Sequence, residues 1–205
     1  ALDAAVYGYA PGDPRLAVSE DLVARLVNLP TNVSEERARE IVLNSGGCTT
    51  AKVKVAEPGQ SVAQEIERLE AVREALGPDG AIRIDANAAW DLDEALRRLP
   101  LLDRAAGGLE YAEQPCASVE DLAALRRRQS VPIAADESIR RAADPLAVKR
   151  AEAADVVVLK VQPLGGVRAC LELAEAVGLP VVVSSALESS FGIAAGLSLA
   201  GALPE

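Results

Sequence analysis

From residue 51 onward the chain alternates between two kinds of segment, and this alternation limits its possible folds more than any other feature. Short runs rich in β-branched and other apolar residues occur at 51–55 (AKVKV), 82–86 (IRIDA), 109–113 (LEYAE), 132–136 (PIAAD), 155–160 (DVVVLK) and 180–185 (PVVVSS). Amphipathic stretches of helical length lie between them. Strand–helix alternation at this spacing builds βαβ units and a parallel sheet. DVVVLK and PVVVSS are apolar at both parities, as strands are when helices cover both faces of a sheet.

The helices have readable ends. Ser61 with Gln64 three residues on is a capping box, and Gly77 closes that helix. Asp91 and Glu94 start the next, in which Pro100 is expected to cause a kink or an early stop. Further helices start at Ser118 and at Asp144, where Pro145 takes the first helical position. Another ends at Gly178, and SEERAREIVLNSGG precedes the first clear strand. SEDLVARLV (19–27) could be a helix, but the reading preferred is one more strand over 24–29; with an apolar helix after PVVVSS, that gives about seven strands in all. A doubly wound sheet and a (β/α)8 barrel both satisfy the pattern. No GxGxxG follows an early strand, which weakens the dinucleotide-binding version.

Composition narrows the chemistry. The 205 residues carry a net charge of −10, which argues against nucleic acid as a partner. No apolar run reaches the roughly 18 residues of a membrane span, and the first residues lack the pattern of a signal peptide. The three cysteines show no pair spacing, pointing to a reducing, cytoplasmic setting without disulfides or a zinc site. There is no histidine, so a catalytic triad and histidine metal ligands are excluded. Acid–base work near neutral pH falls to Lys, Asp, Glu, Tyr or Cys, and a metal would need oxygen ligands, which favours Mg²⁺ or Mn²⁺.

The strand ends supply such groups. Lys54, Asp85, Glu113, Asp136 and Lys160 follow one another at intervals of 31, 28, 23 and 24 residues, one βα unit each. Every strand therefore delivers one charged residue to the C-terminal edge of the sheet, where parallel α/β proteins hold their active sites. One such residue is ordinarily a loop residue or a helix cap; five in succession at one edge are not. Three neighbouring carboxylates repel one another and call for a divalent cation. A cation flanked by two lysines suits removal of a proton next to a carboxylate. Lys52 and Lys54 share one strand face, predicted to point inward, while Val53 and Val55 point to the helices. Glu137 follows Asp136 directly, so spacing alone allows either as a ligand. Glu110 and Glu113 differ in parity, so only one can point inward.

The set KVK (52–54), RIDAN (83–87), EQP (113–115), DES (136–138) and KVQPLGG (160–166) resembles the muconate-lactonising subgroup of the enolase superfamily. Within that subgroup the motifs, in order and spacing over roughly residues 28–205, are similar to the actinobacterial o-succinylbenzoate synthases of menaquinone biosynthesis. The resemblance implies a (β/α)8 TIM-type barrel, here incomplete at about seven strands over 24–205, with 1–23 as a possible remnant of an N-terminal capping domain. It implies a small carboxylate substrate and Mg²⁺, or Mn²⁺, bound by Asp85, Glu113 and Asp136. Lys54 would be the acid–base catalyst of a dehydration, Lys160 would stabilise an enediolate, and Lys52 would tune the pKa of Lys54. Arg83 matches the arginine of the RxD pattern, and Ser184 lies in a segment that lines the substrate pocket. Racemases of N-acylamino acids, dipeptide epimerases and muconate cycloisomerases share the lysines and carboxylates. The absent cap and eighth strand make the chain read as a piece of a longer protein, or as an inactive or self-assembling barrel fragment.

Overall fold

The computed structural model describes residues 26–30, 33–45 and 47–203. The possible cap remnant at 1–23 and the first two residues of the strand expected over 24–29 lie outside them. The described residues form seven strands: β1 (Leu26–Leu29), β2 (Thr50–Lys54), β3 (Ala81–Asp85), β4 (Tyr111–Glu113), β5 (Ile133–Ala135), β6 (Val156–Lys160) and β7 (Val181–Ser184). All neighbouring pairs are parallel, and spatial order equals chain order from β1 to β7. A doubly wound sheet reverses its strand order once, whereas a barrel adds each strand beside the last. The sequential order therefore selects the curled, barrel-type arrangement.

The helices are α1 (Glu35–Leu43), α2 (Val62–Leu76), α3 (Leu92–Ala105), α4 (Val119–Arg126), α5 (Glu137–Arg140), α6 (Ala147–Arg150), α7 (Val167–Val177) and α8 (Ser190–Ala200). Among the described residues no helix is long and apolar enough to cross a membrane. Ser34, Ser61, Asp91 and Ser118 each accept a backbone N–H in the first turn of their helix, and Ser61 and Gln64 complete the capping box. Two expectations need correction. The early stop expected at Pro100 does not occur, and α3 continues through it to Ala105. Its buried stripe of Ala95, Leu99, Leu102 and Ala105 faces the core, while Pro100 is exposed, so the carbonyl the ring leaves without a donor can be solvated. The helix expected from Asp144 is one turn, Ala147–Arg150; Asp144, three residues before it starts, accepts the Leu146 N–H at 3.1 Å.

The two faces of the sheet differ. Val53, Ile82, Ile84, Ala112, Ile133, Ala135, Val157 and Leu159 point outward and join Leu69, Val72, Leu99, Leu102, Leu122 and Leu125 in the main core. On the inward face Tyr111, Ala134 and Val158 form a smaller apolar cluster, bordered by Val156 and Val182. These three residues lie one inward position before Glu113, Asp136 and Lys160, whereas on β2 and β3 the matching positions are Lys52 and Arg83.

Because α3 tolerates Pro100 only through its buried side, Pro100→Ala is expected to stabilise the chain in urea. The gain is at most about 3 kcal/mol of helix propensity, reduced by the ~0.4–1 kcal/mol that proline contributes by restricting the unfolded chain. Leu99→Ala, one residue away on the buried side, is expected to cost about 2–5 kcal/mol. Destabilisation by Pro100→Ala would contradict this account of the helix.

Candidate active site

Register decides which charged residues meet. Lys54 pairs with Asp85 and Asp85 with Glu113, so three charges stand at one level. One level deeper, Lys52 pairs with Arg83 and Arg83 with Tyr111. From β4 onward the strands are staggered. Glu113 registers with Ala134, two residues before Asp136, and Ala134 with Val156, four before Lys160. The five charges are thus not at one hydrogen-bonding level, as the spacing suggested. The stagger is the shear that curls a parallel sheet, and it lets successive strands reach the same rim from different registers.

Ion pairs bind the group into two halves. Lys52 Nζ lies 2.6 Å from Glu113 Oε2 and 3.0 Å from Asp85 Oδ2, bridging the two carboxylates from below. Lys54 Nζ donates to Asp85 Oδ2 at 2.5 Å and to Asn87 Oδ1 at 2.6 Å. In the second half, Lys160 Nζ donates to Asp136 Oδ2 at 2.6 Å and Arg140 Nε to Asp136 Oδ1 at 2.8 Å. Arg140 also holds Glu137 Oε1 at 2.6 Å, and Asn87 Nδ2 reaches that oxygen at 3.4 Å, linking the halves. Four carboxylates face four cations. The carboxylates' need for positive charge is met here by side chains.

The balance is uneven. Burial alone would raise the carboxyl of Asp85, but Lys52 and Lys54 outweigh it and hold it below its usual range. Burial pushes Glu113 up to about 7, with the charge of Asp85 adding to the rise and Lys52 opposing it. Asp85 has the ammonium groups of both Lys52 and Lys54, whereas Glu113 has a share of Lys52. Burial works against the charge on Lys52, but Glu113 and Asp85 outweigh it and raise its pKa. Glu113 Oε1 is buried without a hydrogen-bond partner.

That orphaned oxygen bears on an oxygen-loving cation. Among the described residues no three acidic side chains converge tightly enough to hold one ion as they stand. Asp85, Glu113 and Asp136 nevertheless supply all-oxygen donors on neighbouring strands, one of them with an unused lone pair in a dry setting. This donor set fits Mg²⁺ or Mn²⁺ once the lysines release it.

Strain gathers at the same rim. Ala56, Asn87 and Gln114 have φ of 66°, 46° and 39°, each within two residues of Lys54, Asp85 or Glu113. Asparagine tolerates this left-handed region, but alanine and glutamine occupy it at a cost, a common sign of a functional edge.

The remaining expected residues are placed as follows. Ser184 registers with Lys160 on the inward face at the end of β7. Arg83 lies at the level of Lys52 but turns from the carboxylates to Glu110 Oε2 at 2.5 Å, with its guanidinium 4.9 Å from the Tyr111 ring centre. Glu113 is therefore the inward glutamate, and Glu110 lies partly exposed ahead of β4. Of the two acidic neighbours, Asp136 is fully buried and held by Lys160 and Arg140. Sequence reasoning passed over Arg140, Asn87 and Gln114. Arg140 lies one helical turn beyond Asp136, a spacing that pairs side chains on a helix, and this was the available signal.

Residues 34–205 match the model of a protein family described as enolase C-terminal domain-like. The o-succinylbenzoate synthase of Thermobifida fusca (strain YX) is 66% identical over 185 residues, covering 90% of this chain and 57% of that protein. That of Mycolicibacterium smegmatis (strain ATCC 700084 / mc(2)155) is 54% identical over 192 residues, covering 94% and 58%. The chain thus spans a little over half the length of the curated relatives it matches. Among solved structures, the L-Ala-D/L-Glu epimerase from Bacillus subtilis aligns with a TM-score of 0.73 at 30% identity, covering 85% of this chain and 50% of that one. The dipeptide epimerase from Enterococcus faecalis V583 aligns at 0.75 and 28%, covering 87% and 52%.

The uneven charge balance gives a testable sign. With the folded pKa of Glu113 raised to about 7 from an ordinary 4.5, the folded metal-free chain holds this proton more tightly than the unfolded one. The resulting stability is complete below pH 4.5 and lost as pH rises through 7, by about 3 kcal/mol at most. Urea titrations in chelator-treated buffer are expected to show this fall for the wild type and not for Glu113→Gln. An equal fall in both would contradict the assignment.

Proposed function

The chain belongs to the enolase C-terminal domain-like family, and from that premise we propose that it carries the chemical core of an o-succinylbenzoate synthase. The substrate would be 2-succinyl-6-hydroxy-2,4-cyclohexadiene-1-carboxylate, dehydrated to the aromatic product. The observation that carries this reading is the placement of Lys54 and Lys160 on either side of Asp85, Glu113 and Asp136 at one rim of the sheet. Identities of 54–66% to synthases support the substrate, against 28–30% to the two epimerase structures.

Asp85, Glu113 and Asp136 would hold Mg²⁺, with Mn²⁺ able to replace it. When bound, the ion supplies positive charge at the substrate carboxylate, making the neighbouring proton easier to remove. Lys54 has the exposure the reacting group needs, with 36% of its side chain open to solvent against 12% for Lys52 and 11% for Lys160. As the free amine, Lys54 would take the proton next to the ring carboxylate, leaving an enediolate. It would then give a proton to the departing hydroxyl, which leaves as water while the ring becomes aromatic. One group acting in both directions suits a proton and a hydroxyl on the same face of the ring. Lys160, from the opposite side, would hold its ammonium against the enediolate charge. Lys52 would remain cationic beneath them, balancing the buried carboxylates. Ser184 and Arg83 would border the pocket, the first at the level of Lys160 and the second deeper in.

The test is a dehydration assay with the cyclohexadiene substrate and millimolar Mg²⁺, on this chain and on any longer polypeptide that contains it. Lys54→Ala and Lys160→Ala are each expected to lose about 10²–10⁴-fold in kcat, the usual range for a proton-transfer group. Chelation of the metal is expected to abolish turnover, and Mn²⁺ to restore it. Lys54→Ala retaining most of the activity would overturn the assignment.

A further inference from the structure

The EQP and DES motifs each contain a polar residue to which the proposed reaction gives no part: Gln114 and Ser138. We propose that Gln114 is a positioning residue, whose side-chain amide fastens the turn carrying Asp136 to the strand end carrying Glu113. This sets the two carboxylates at a fixed spacing for a divalent cation, and it rests on the reading of both as ion ligands.

The argument begins with saturation. Gln114 is completely buried, and every hydrogen-bonding group it has is used. Its side-chain oxygen accepts the backbone N–H of Asp136 at 3.0 Å and of Ser138 at 3.1 Å. Its side-chain nitrogen donates to Cys116 O at 2.9 Å and to Ser138 Oγ at 2.7 Å. Backbone N–H groups can only donate and a carbonyl can only accept, so the orientation of the amide is fixed by chemistry. On the main chain, Gln114 N–H donates to Ala134 O at 2.8 Å, and its carbonyl accepts Ala88 N–H at 2.7 Å. One residue thus ties together the segments that follow β3, β4 and β5, each of which carries one of the three carboxylates.

The amide also does what the turn after β5 cannot do alone. Asp136 opens α5 with no side-chain cap, and both of its carboxylate oxygens are given to Lys160 and Arg140. The N–H groups of Asp136 and Ser138 would be buried and unpaired without the Gln114 oxygen. Gln114 also sits at φ 39°, a conformation that its surroundings must hold in place. That conformation turns the side chain of the residue after Glu113 across to β5. No other side-chain chemistry fills the position, since glutamate lacks the two donors and asparagine is one methylene short.

The test reads ion affinity, not turnover. The chain is titrated with Mn²⁺ and free ion is followed by electron paramagnetic resonance, well below the melting temperature of every variant. Gln114→Met keeps the volume and removes the bonds; Ser138→Ala removes one bond and Ser138→Thr keeps it. Gln114→Met is expected to bind Mn²⁺ about 10- to 100-fold more weakly, with a changed bound-ion spectrum. Ser138→Ala is expected to lose affinity to a smaller degree, and Ser138→Thr to restore it. If Gln114→Met fails to fold, the contrast between Ser138→Ala and Ser138→Thr decides. Unchanged Mn²⁺ affinity and spectrum in the variants, whatever their melting temperature, would overturn the positioning role and leave the metal reading standing. A wild-type chain that binds no Mn²⁺ would overturn both.

Discussion

A buried carboxylate needs a positive partner, and most of the site follows from how that need is met. Asp85 and Glu113 end adjacent strands at the same register and share the ammonium of Lys52, while Lys54 adds a second cation to Asp85 alone. Asp136 is supplied separately by Lys160 and Arg140. With Glu137 on Arg140 the arrangement is neutral in count but not evenly satisfied: Glu113 keeps an unpaired oxygen, and burial beside the charge of Asp85 pushes its pKa up to about 7. An incoming divalent cation would take over the carboxylates and free the lysines for a substrate.

The sheet makes this economy possible because it is parallel, sequential and staggered. Register brings Lys54, Asp85 and Glu113 to one level, and the slip between β4, β5 and β6 carries Asp136 and Lys160 to the rim from further along their strands. Tyr111, Ala134 and Val158 pack together on the inward face, one inward position before Glu113, Asp136 and Lys160. Asp85, Glu113 and Asp136 are almost wholly buried, and this strengthens the ion pairs they make. The proposed chemistry uses that burial, since the ammonium of Lys160 acts most strongly where solvent does not screen it.

Much of this was legible in the chain itself. The alternation of strands and helices, the inward parity of Lys52 and Lys54 and the ladder of charges at strand ends are local patterns that a period of two and a fixed βα length make readable. Ser61 and Gln64 announce their helix because a capping box is a short-range interaction. The choice between barrel and doubly wound sheet was not readable from periodicity, because both use the same βαβ unit and differ only in where the next strand is laid. Pro100 misled because helix propensity is local while the burial of Leu99 and Leu102 is not. Arg83 shares the strand face of Asp85, yet its partner is Glu110, just ahead of the next strand, a pairing that spacing does not encode. Gln114 was hidden for a similar reason: the partners of its amide oxygen lie more than twenty residues away, on a turn whose position depends on the stagger of β5.

The central claim is that Lys52, Lys54, Lys160 and Arg140 stand in for a divalent cation among Asp85, Glu113 and Asp136. A crystal structure of this chain grown with Mg²⁺ tests it most directly. The account predicts one ion with an oxygen from each of the three carboxylates at about 2.0–2.1 Å, Glu113 Oε1 no longer unpaired, and Lys54 withdrawn from Asp85. An ion bound elsewhere, or an unoccupied site at saturating Mg²⁺ with the lysines still bridging the carboxylates, would contradict it.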